Sequence, residues 1–258
     1  MSQADKKLSI AIVLIATWKY SKFIDGTVKG IRKFFFPKSN VEIFLHTDSD
    51  ECYDADYIKK IDHEPWPLIT LKRYHLIVDN ADIYSKYDQV FYLDIDVIIK
   101  NYVNEDILSN KLTVVRHYLF TDSDGTPERN PESLAYIPEG ESHTYVAGGF
   151  WGGPSAVIIE FCKQMKNNIE KDLKKGIIAI WHDESHLNAY THYNQKLISY
   201  LHPKYISLRR DAFHGTPAFD YDPIIIPLLD DEVDIPGPSK GFRKTDDHIS
   251  EIPKTLKS

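Results

Sequence analysis

The chain has 258 residues, enough to bury a core as one large domain, and its 42% hydrophobic and 27% charged content is that of an ordinary globular protein. A formal net charge of −7 excludes a sequence-independent grip on nucleic acid, which needs a basic stripe. Only Cys52 and Cys162 are present, so a disulfide framework, a zinc ribbon and a CxxC redox motif are excluded and a reducing compartment is the expectation.

In chain order, strand and helix signals alternate. Residues 8–16 read as a first buried strand. The apolar run 10–16 is too short to span a bilayer, and polar Thr17-Trp18-Lys19-Tyr20 stands where a signal peptide would place a small-residue cleavage site. Ile24, Val28, Ile31 and Phe35 recur at helical spacing until Pro37. Residues 41–47 are a second strand, and 51–69 read as irregular. Thr70 is an expected N-cap for a helix carrying Leu71, Tyr74, His75 and Val78 on one side.

The stretch 90–99, V-F-Y-L-D-I-D-V-I-I, reads as a single strand buried on both faces. Side chains at i and i+2 share a face, so Asp94 and Asp96 stand side by side while Ile95 points away. Two adjacent carboxylates among apolar neighbours repel each other and lose hydration; a divalent cation with oxygen ligands, such as Mg2+ or Mn2+, relieves both. The plain alternative is a solvated pair ending the strand. Strand, helix, strand, helix, strand over about a hundred residues opens a Rossmann-like α/β fold, whose ligands bind beyond the carboxyl ends of the strands.

The second half carries a strand at 112–116, a polar loop at 121–132 and then Y-V-A-G-G-F-W-G-G at 145–153. Four glycines in so short a span imply close backbone approach or tight turning. Val157, Ile158, Phe161, Met165 and Ile169 predict a helix that starts at Pro154 and ends near Gly176. Residues 177–180 read as a short strand, followed by W-H-D-E-S-H at 181–186 and, beyond Pro203, an irregular tail. His182 and His186 lie four apart as zinc ligands can, but the zinc-protease pattern needs Glu directly after the first His, and Asp183 stands there. Asp183 and Glu184 either cap the next helix or serve chemistry, with Asp183 holding a substrate hydroxyl and Glu184 facing a reacting carbon.

Asp94-Ile95-Asp96, A-Y-I-P-E at 135–139, G-G-F-W-G-G at 148–153 and W-H-D-E-S-H-L-N at 181–188, in this order and spacing, resemble glycosyltransferase family 6. That family includes the blood-group A and B transferases, the α-1,3-galactosyltransferases and bacterial and phage relatives. The resemblance covers roughly residues 8–210. It implies a GT-A fold with a Rossmann-like nucleotide-binding half (8–100), an acceptor and catalytic half (101–210) and a mixed central sheet, in one domain whose tail (211–258) is irregular. It also implies a retaining transfer of GalNAc or Gal from a UDP-sugar to the 3-hydroxyl of an acceptor glycan.

Carried over by motif, Asp94 and Asp96 hold Mn2+, with Mg2+ as a substitute, and through it the UDP diphosphate. Ile15, Thr17 and Tyr20 cradle uracil and ribose. Arg73, Ile95 and His182 belong to the donor site. Asp183 binds donor-sugar hydroxyls, Glu184 is nucleophile or front-face stabiliser, and Trp181, Thr126 and Arg116 line the acceptor side. Ala147, Gly148 and Gly149 lie against the 2-position of the donor sugar, where small residues leave room for an acetamido group and favour UDP-GalNAc.

Three departures shape the expectations. The membrane anchor and stem of the mammalian members are absent, which predicts a soluble, cytoplasmic protein. Many bacterial relatives carry Asn in place of both aspartates, whereas this chain keeps the acids and is expected to depend on metal. The L-H-P-G-F acceptor motif is not reproduced near Arg116-His117. Lys240, Arg243 and Lys244 are either basic residues closing over UDP or solvated charges. A metal-dependent UDP-sugar hydrolase and a non-catalytic sugar-binding module remain the alternative functions on the same fold.

Overall fold

A computed structural model describes residues 7–208 and 220–228. Its centre is a seven-stranded sheet in the order β3-β2-β1-β4-β7-β6-β8. The first half supplies β1 (Ser9–Ala16), β2 (Asn40–Thr47), β3 (Tyr57–Lys60) and β4 (Gln89–Leu93), all mutually parallel. From the second half, β6 (Leu112–Arg116) and β8 (Ile198–Leu201) pair in parallel, and β7 (Val146–Pro154) runs antiparallel between β4 and β6. The sheet is thus mixed, as expected. A second, two-stranded sheet joins β5 (Val97–Ile99) to β9 (Ile225–Pro227).

Helices cover both faces. On one, α1 (Ile24–Phe34) buries Ile24, Val28 and Ile31 against Ile10, Ile12 and Leu14 of β1. On the other lie α2 (Leu68–Leu71), α3 (Arg73–Val78), α4 (Ala81–Tyr84), α5 (Ser155–Lys174) and α6 (His182–Tyr193). Ile158, Phe161, Met165 and Ile169 of α5 follow the predicted stripe and pack against Trp151 and Tyr74. Gly176, with φ +73°, follows the helix end as expected. Among the described residues no helix is long and apolar enough to cross a membrane.

Several expectations are corrected. The predicted strand 90–99 is two strands in different sheets, because the chain leaves the main sheet after Leu93. Carboxylates held between two apolar layers would lose their hydration. By stepping out at the sheet edge, Asp94 and Asp96 stay half-exposed while Ile95 turns into the core, its carbonyl satisfied by the Thr27 hydroxyl at 2.6 Å. The region 51–69 contains the edge strand β3, all of it exposed and so without an apolar alternation to betray it. The helix expected to be capped by Thr70 begins earlier, at Leu68, and is interrupted at Lys72. Residues 177–180 form no strand, and the tail contributes β9. The basic residues Lys240, Arg243 and Lys244 lie outside the described residues.

The glycines of 148–153 form the inner strand β7 rather than turns. At Gly152 an added Cβ would stand 2.2 Å from Phe91 Cδ1 and 2.6 Å from the Val90 carbonyl oxygen. Gly152→Ala is therefore expected to lower the unfolding free energy by about 2–3 kcal/mol; an unchanged midpoint in chemical denaturation would contradict this account of the glycine.

Candidate active site

The strand order reverses between β1 and β4, the position where open α/β sheets hold ligands. Because β7 is antiparallel, its opening residues lie at the carboxyl edge of β4: the Asp94 amide donates to the Gly149 carbonyl at 2.8 Å. The first turn of α6 comes to the same place. Together they enclose a cleft of about 190 Å³ lined by Arg73, Asp94, Gly148, Gly149, Trp181, Asp183 and Glu184.

Arg73, buried on α3, is the centre of the cleft's charge. Its Nη1 lies 3.0 Å from Asp183 Oδ2 and 3.4 Å from Asp94 Oδ1 and donates to the Gly148 carbonyl at 3.1 Å. Its Nε donates to the Thr70 carbonyl, and its guanidinium sits 4.6 Å from the centre of the Tyr92 ring. Burial alone would weaken its protonation; Asp183, with Tyr92 and Asp94, outweighs that and keeps it charged. Tyr92, two residues before Asp94 and on the same face, donates to Asp94 Oδ1 at 2.7 Å.

One guanidinium does not neutralise three carboxylates. Burial pushes Asp183 up to about 6, with Arg73 pulling against it and Asp94 adding to it. Burial likewise pushes Glu184 up to about 7, against the bonds it accepts from the Gly148 amide (Oε2, 2.7 Å) and the Tyr145 hydroxyl (Oε1, 3.0 Å). Both acids occupy the first turn of α6, where the dipole favours negative charge, yet neither caps its own helix. Their oxygens reach to Arg73, β7 and Tyr145 instead. His182, with φ +50°, begins the helix in the left-handed region that costs a non-glycine residue about 1–2 kcal/mol, and it packs edge-on to Trp66 at 4.4 Å.

Gly149 has no room for a side chain: a Cβ would stand 2.7 Å from Asp94 Oδ2 and 2.8 Å from Ile206 Cδ1. At Gly148 the nearest atoms, Glu184 Cβ and Oε2, would be 3.3 Å away. Protein groups thus already account for the absence of a side chain at 149. Ala147 is buried in the core beneath and is not among the cleft walls.

The remaining sequence candidates divide. Trp181 Nε1 donates to Thr126 Oγ1 at 2.7 Å, so Thr126 holds the Trp181 wall without itself lining the cleft. Arg116, exposed on β6, lies 5.9 Å from the Tyr200 ring centre and does not line the cleft. Ile15, Thr17 and Tyr20 stand at the carboxyl end of β1 but outside the cleft walls; Thr17 Oγ1 bonds His63 Nδ1 at 2.9 Å, and Tyr20 packs on Phe23. Asp96 is half-buried beyond Asp94, and its carbonyl accepts from the Leu228 amide. The zinc pairing of His182 with His186 does not form. His186 is buried beside Asp172, 3.7 Å away, and burial lowers its pKa to about 3. Sequence reasoning missed Tyr92, Tyr145 and the half-buried His117, whose amide donates to the Tyr145 carbonyl. The i, i+2 rule could have found Tyr92; nothing local marks the other two.

For metal, the donors at the cleft are carboxylate oxygens, without thiolate or imidazole, which suits Mg2+ or Mn2+ better than zinc. Among the described residues no three His, Cys, Asp or Glu side chains gather as a ready cage. Asp94 and Asp96 therefore fit an ion that completes its shell with phosphate oxygens and water.

The model of glycosyltransferase family 6 matches residues 2–214. A globoside alpha-1,3-N-acetylgalactosaminyltransferase 1 from Gallus gallus is 30% identical over 77% of this chain and 62% of its own length. The histo-blood group ABO system transferase 1 of Rattus norvegicus is 34% identical over 77% of this chain and 60% of its own. The O-antigen biosynthesis glycosyltransferase WbnI of Escherichia coli is 30% identical over 73% and 84%. The chain thus spans less than two thirds of the length of the two vertebrate relatives.

The raised pKa of Glu184 has a definite sign in stability. Its contribution is fully present below the ordinary carboxylate range and is lost as pH rises through about 7. Glu184→Gln is expected to be more stable than its parent above pH 7, by at most about 3 kcal/mol, with the gain vanishing toward pH 4. Melting curves of both proteins across that range check it; a difference independent of pH would show that the carboxyl is not held as described.

Proposed function

Because the chain belongs to glycosyltransferase family 6 and has the GT-A type of fold, we propose that it moves N-acetylgalactosamine, or less readily galactose, from a UDP-sugar to the 3-hydroxyl of an acceptor glycan, retaining the α configuration. The observation that carries this reading is the gathering of Asp94 and Asp183 on Arg73, with Glu184 beside them, in one cleft at the switch point of the sheet. The alpha-1,3-N-acetylgalactosaminyltransferase name of the Gallus gallus relative supports the donor and the linkage.

In this reading uracil and ribose lie along Ile15, Thr17 and Tyr20, and the diphosphate lies toward Asp94-Ile95-Asp96. Asp94 and Asp96 hold the divalent ion, Mn2+ or Mg2+; when bound, it supplies positive charge that stabilises the departing diphosphate. Arg73 is committed to Asp94, Asp183 and the Gly148 carbonyl, so it fixes the two acids rather than reaching out to phosphate. Asp183, so fixed, accepts from donor-sugar hydroxyls. Glu184, its oxygens held by Gly148 and Tyr145, sets negative charge against the anomeric carbon as its bond to the diphosphate breaks. The acceptor rests on Trp181 and Thr126, and its hydroxyl oxygen bonds the anomeric carbon on the face the diphosphate leaves, its proton passing to the departing diphosphate oxygen.

The test is a matrix of UDP-GalNAc, UDP-Gal, UDP-Glc and UDP-GlcNAc, each with Mn2+, Mg2+ or chelator and with or without galactosyl and fucosylated acceptors. Transfer is expected from UDP-GalNAc first and UDP-Gal second, with chelator abolishing it. Asp96→Asn should lower turnover at least about 100-fold and weaken Mn2+ binding measured calorimetrically in the presence of UDP. UDP release indifferent to acceptor would instead make the protein a hydrolase, and binding without turnover would make it a sugar-binding module.

A further inference from the structure

Glu184 is held by a side chain that is not part of the cleft. The Tyr145 phenol is 1% exposed and not among the cleft walls, yet its hydroxyl donates to Glu184 Oε1 at 3.0 Å. Its ring is caged. Phe120, His117 and His143 meet it at 5.1, 5.7 and 5.8 Å between ring centres. The backbone of Gly125, at φ +67°, presses so close that a Cβ there would stand 2.4 Å from Tyr145 Cδ2.

The next residue, Thr126, accepts from Trp181 Nε1. An indole N–H can only donate, so Thr126 meets it with a lone pair and keeps its own proton to give. Burial, with the neighbouring Glu184 carboxyl, raises the Tyr145 phenol well above its ordinary range and keeps it protonated at neutral pH. An ionised carboxylate can only accept. The Tyr145 phenol therefore donates to Glu184 whenever the acid is ionised.

We infer that Tyr145 is a positioning residue: caged behind the cleft, it fixes the Glu184 carboxylate in the orientation in which its other oxygen accepts from the Gly148 amide. Its effect on rate rests on the reading of Glu184 given above; its effect on the Glu184 carboxyl does not. The other groups that face Glu184 are Asp183 and Asp94, which oppose its charge, the Gly148 amide, which favours it, and the phenols of Tyr74 and Tyr118; Arg73 stands behind the Gly148 carbonyl.

Tyr145→Phe keeps the ring and the cage and removes one oxygen. Its first readout needs no substrate: the pH midpoint of the stability difference between Glu184→Gln and its parent, measured with and without Y145F, is expected to rise by about half to one unit when the phenol is lost. In turnover, kcat should fall about 10-fold with KM for the sugar nucleotide within about twofold. Y145F added to Glu184→Ala should cost little further in rate, since no side-chain oxygen remains there for the phenol to hold. An unmoved midpoint, or an equal further loss of rate in the Glu184→Ala background, would overturn the inference and reduce Tyr145 to a core residue. A protein that transfers sugar from no donor would overturn the functional reading instead, and the midpoint would still decide the positioning.

Discussion

A single buried guanidinium holds three parts of this molecule in register. Arg73 projects from α3 to the carboxyl end of β4 through Asp94, to the opening of β7 through the Gly148 carbonyl and to the first turn of α6 through Asp183. Removing one partner from such a pair leaves a desolvated charge and typically costs about 3–5 kcal/mol. The arrangement is also deliberately incomplete. Asp94 and Asp183 share the one cation of the cleft lining, Glu184 stands beside them without it, and the two acids of α6 are pushed up toward neutral pH by their burial. The cleft is therefore deficient in positive charge, which is the state that favours a divalent ion arriving with a diphosphate.

The fold brings these groups together by two departures from a plain parallel sheet. β7 runs against its neighbours, so that its first residues rather than its last lie at the ligand edge, and the chain steps out of the sheet after Leu93. Each departure has a local chemical cost met nearby. The loss of ladder bonds at 94–96 is offset by the Asp94 amide on Gly149 and by the Thr27 hydroxyl on Ile95. The crowding where β4, β7 and Asp94 meet is tolerated because positions 149 and 152 are glycine.

Glycine at 149 shows how an expectation changes meaning once coordinates exist. In the sequence, Ala147-Gly148-Gly149 reads as room left for an acetamido group. In the structure the space beside Gly149 is filled by Asp94 and Ile206, so its smallness first serves the protein's own carboxylate.

Periodic patterns were legible in the chain: β1, β2, β6, α1 and α5 follow from apolar spacing, and the strength of D-I-D and W-H-D-E-S-H-L-N as motifs marked Asp94, Asp183 and Glu184 before any coordinates. What the chain could not disclose is which side chains meet across long separations. Tyr145 lies 39 positions from Glu184, and Arg73 lies 110 from Asp183, in elements whose adjacency depends on the sheet order. An exposed edge strand such as β3 carries no alternation to read, and a strand that changes sheets at 94 reads as one apolar run, because periodicity records burial and not partner. Residue identity thus determined the chemistry available to this protein. Only tertiary packing decided which carboxylates share one guanidinium and which phenol stands behind them, since those contacts depend on distances that sequence spacing does not encode.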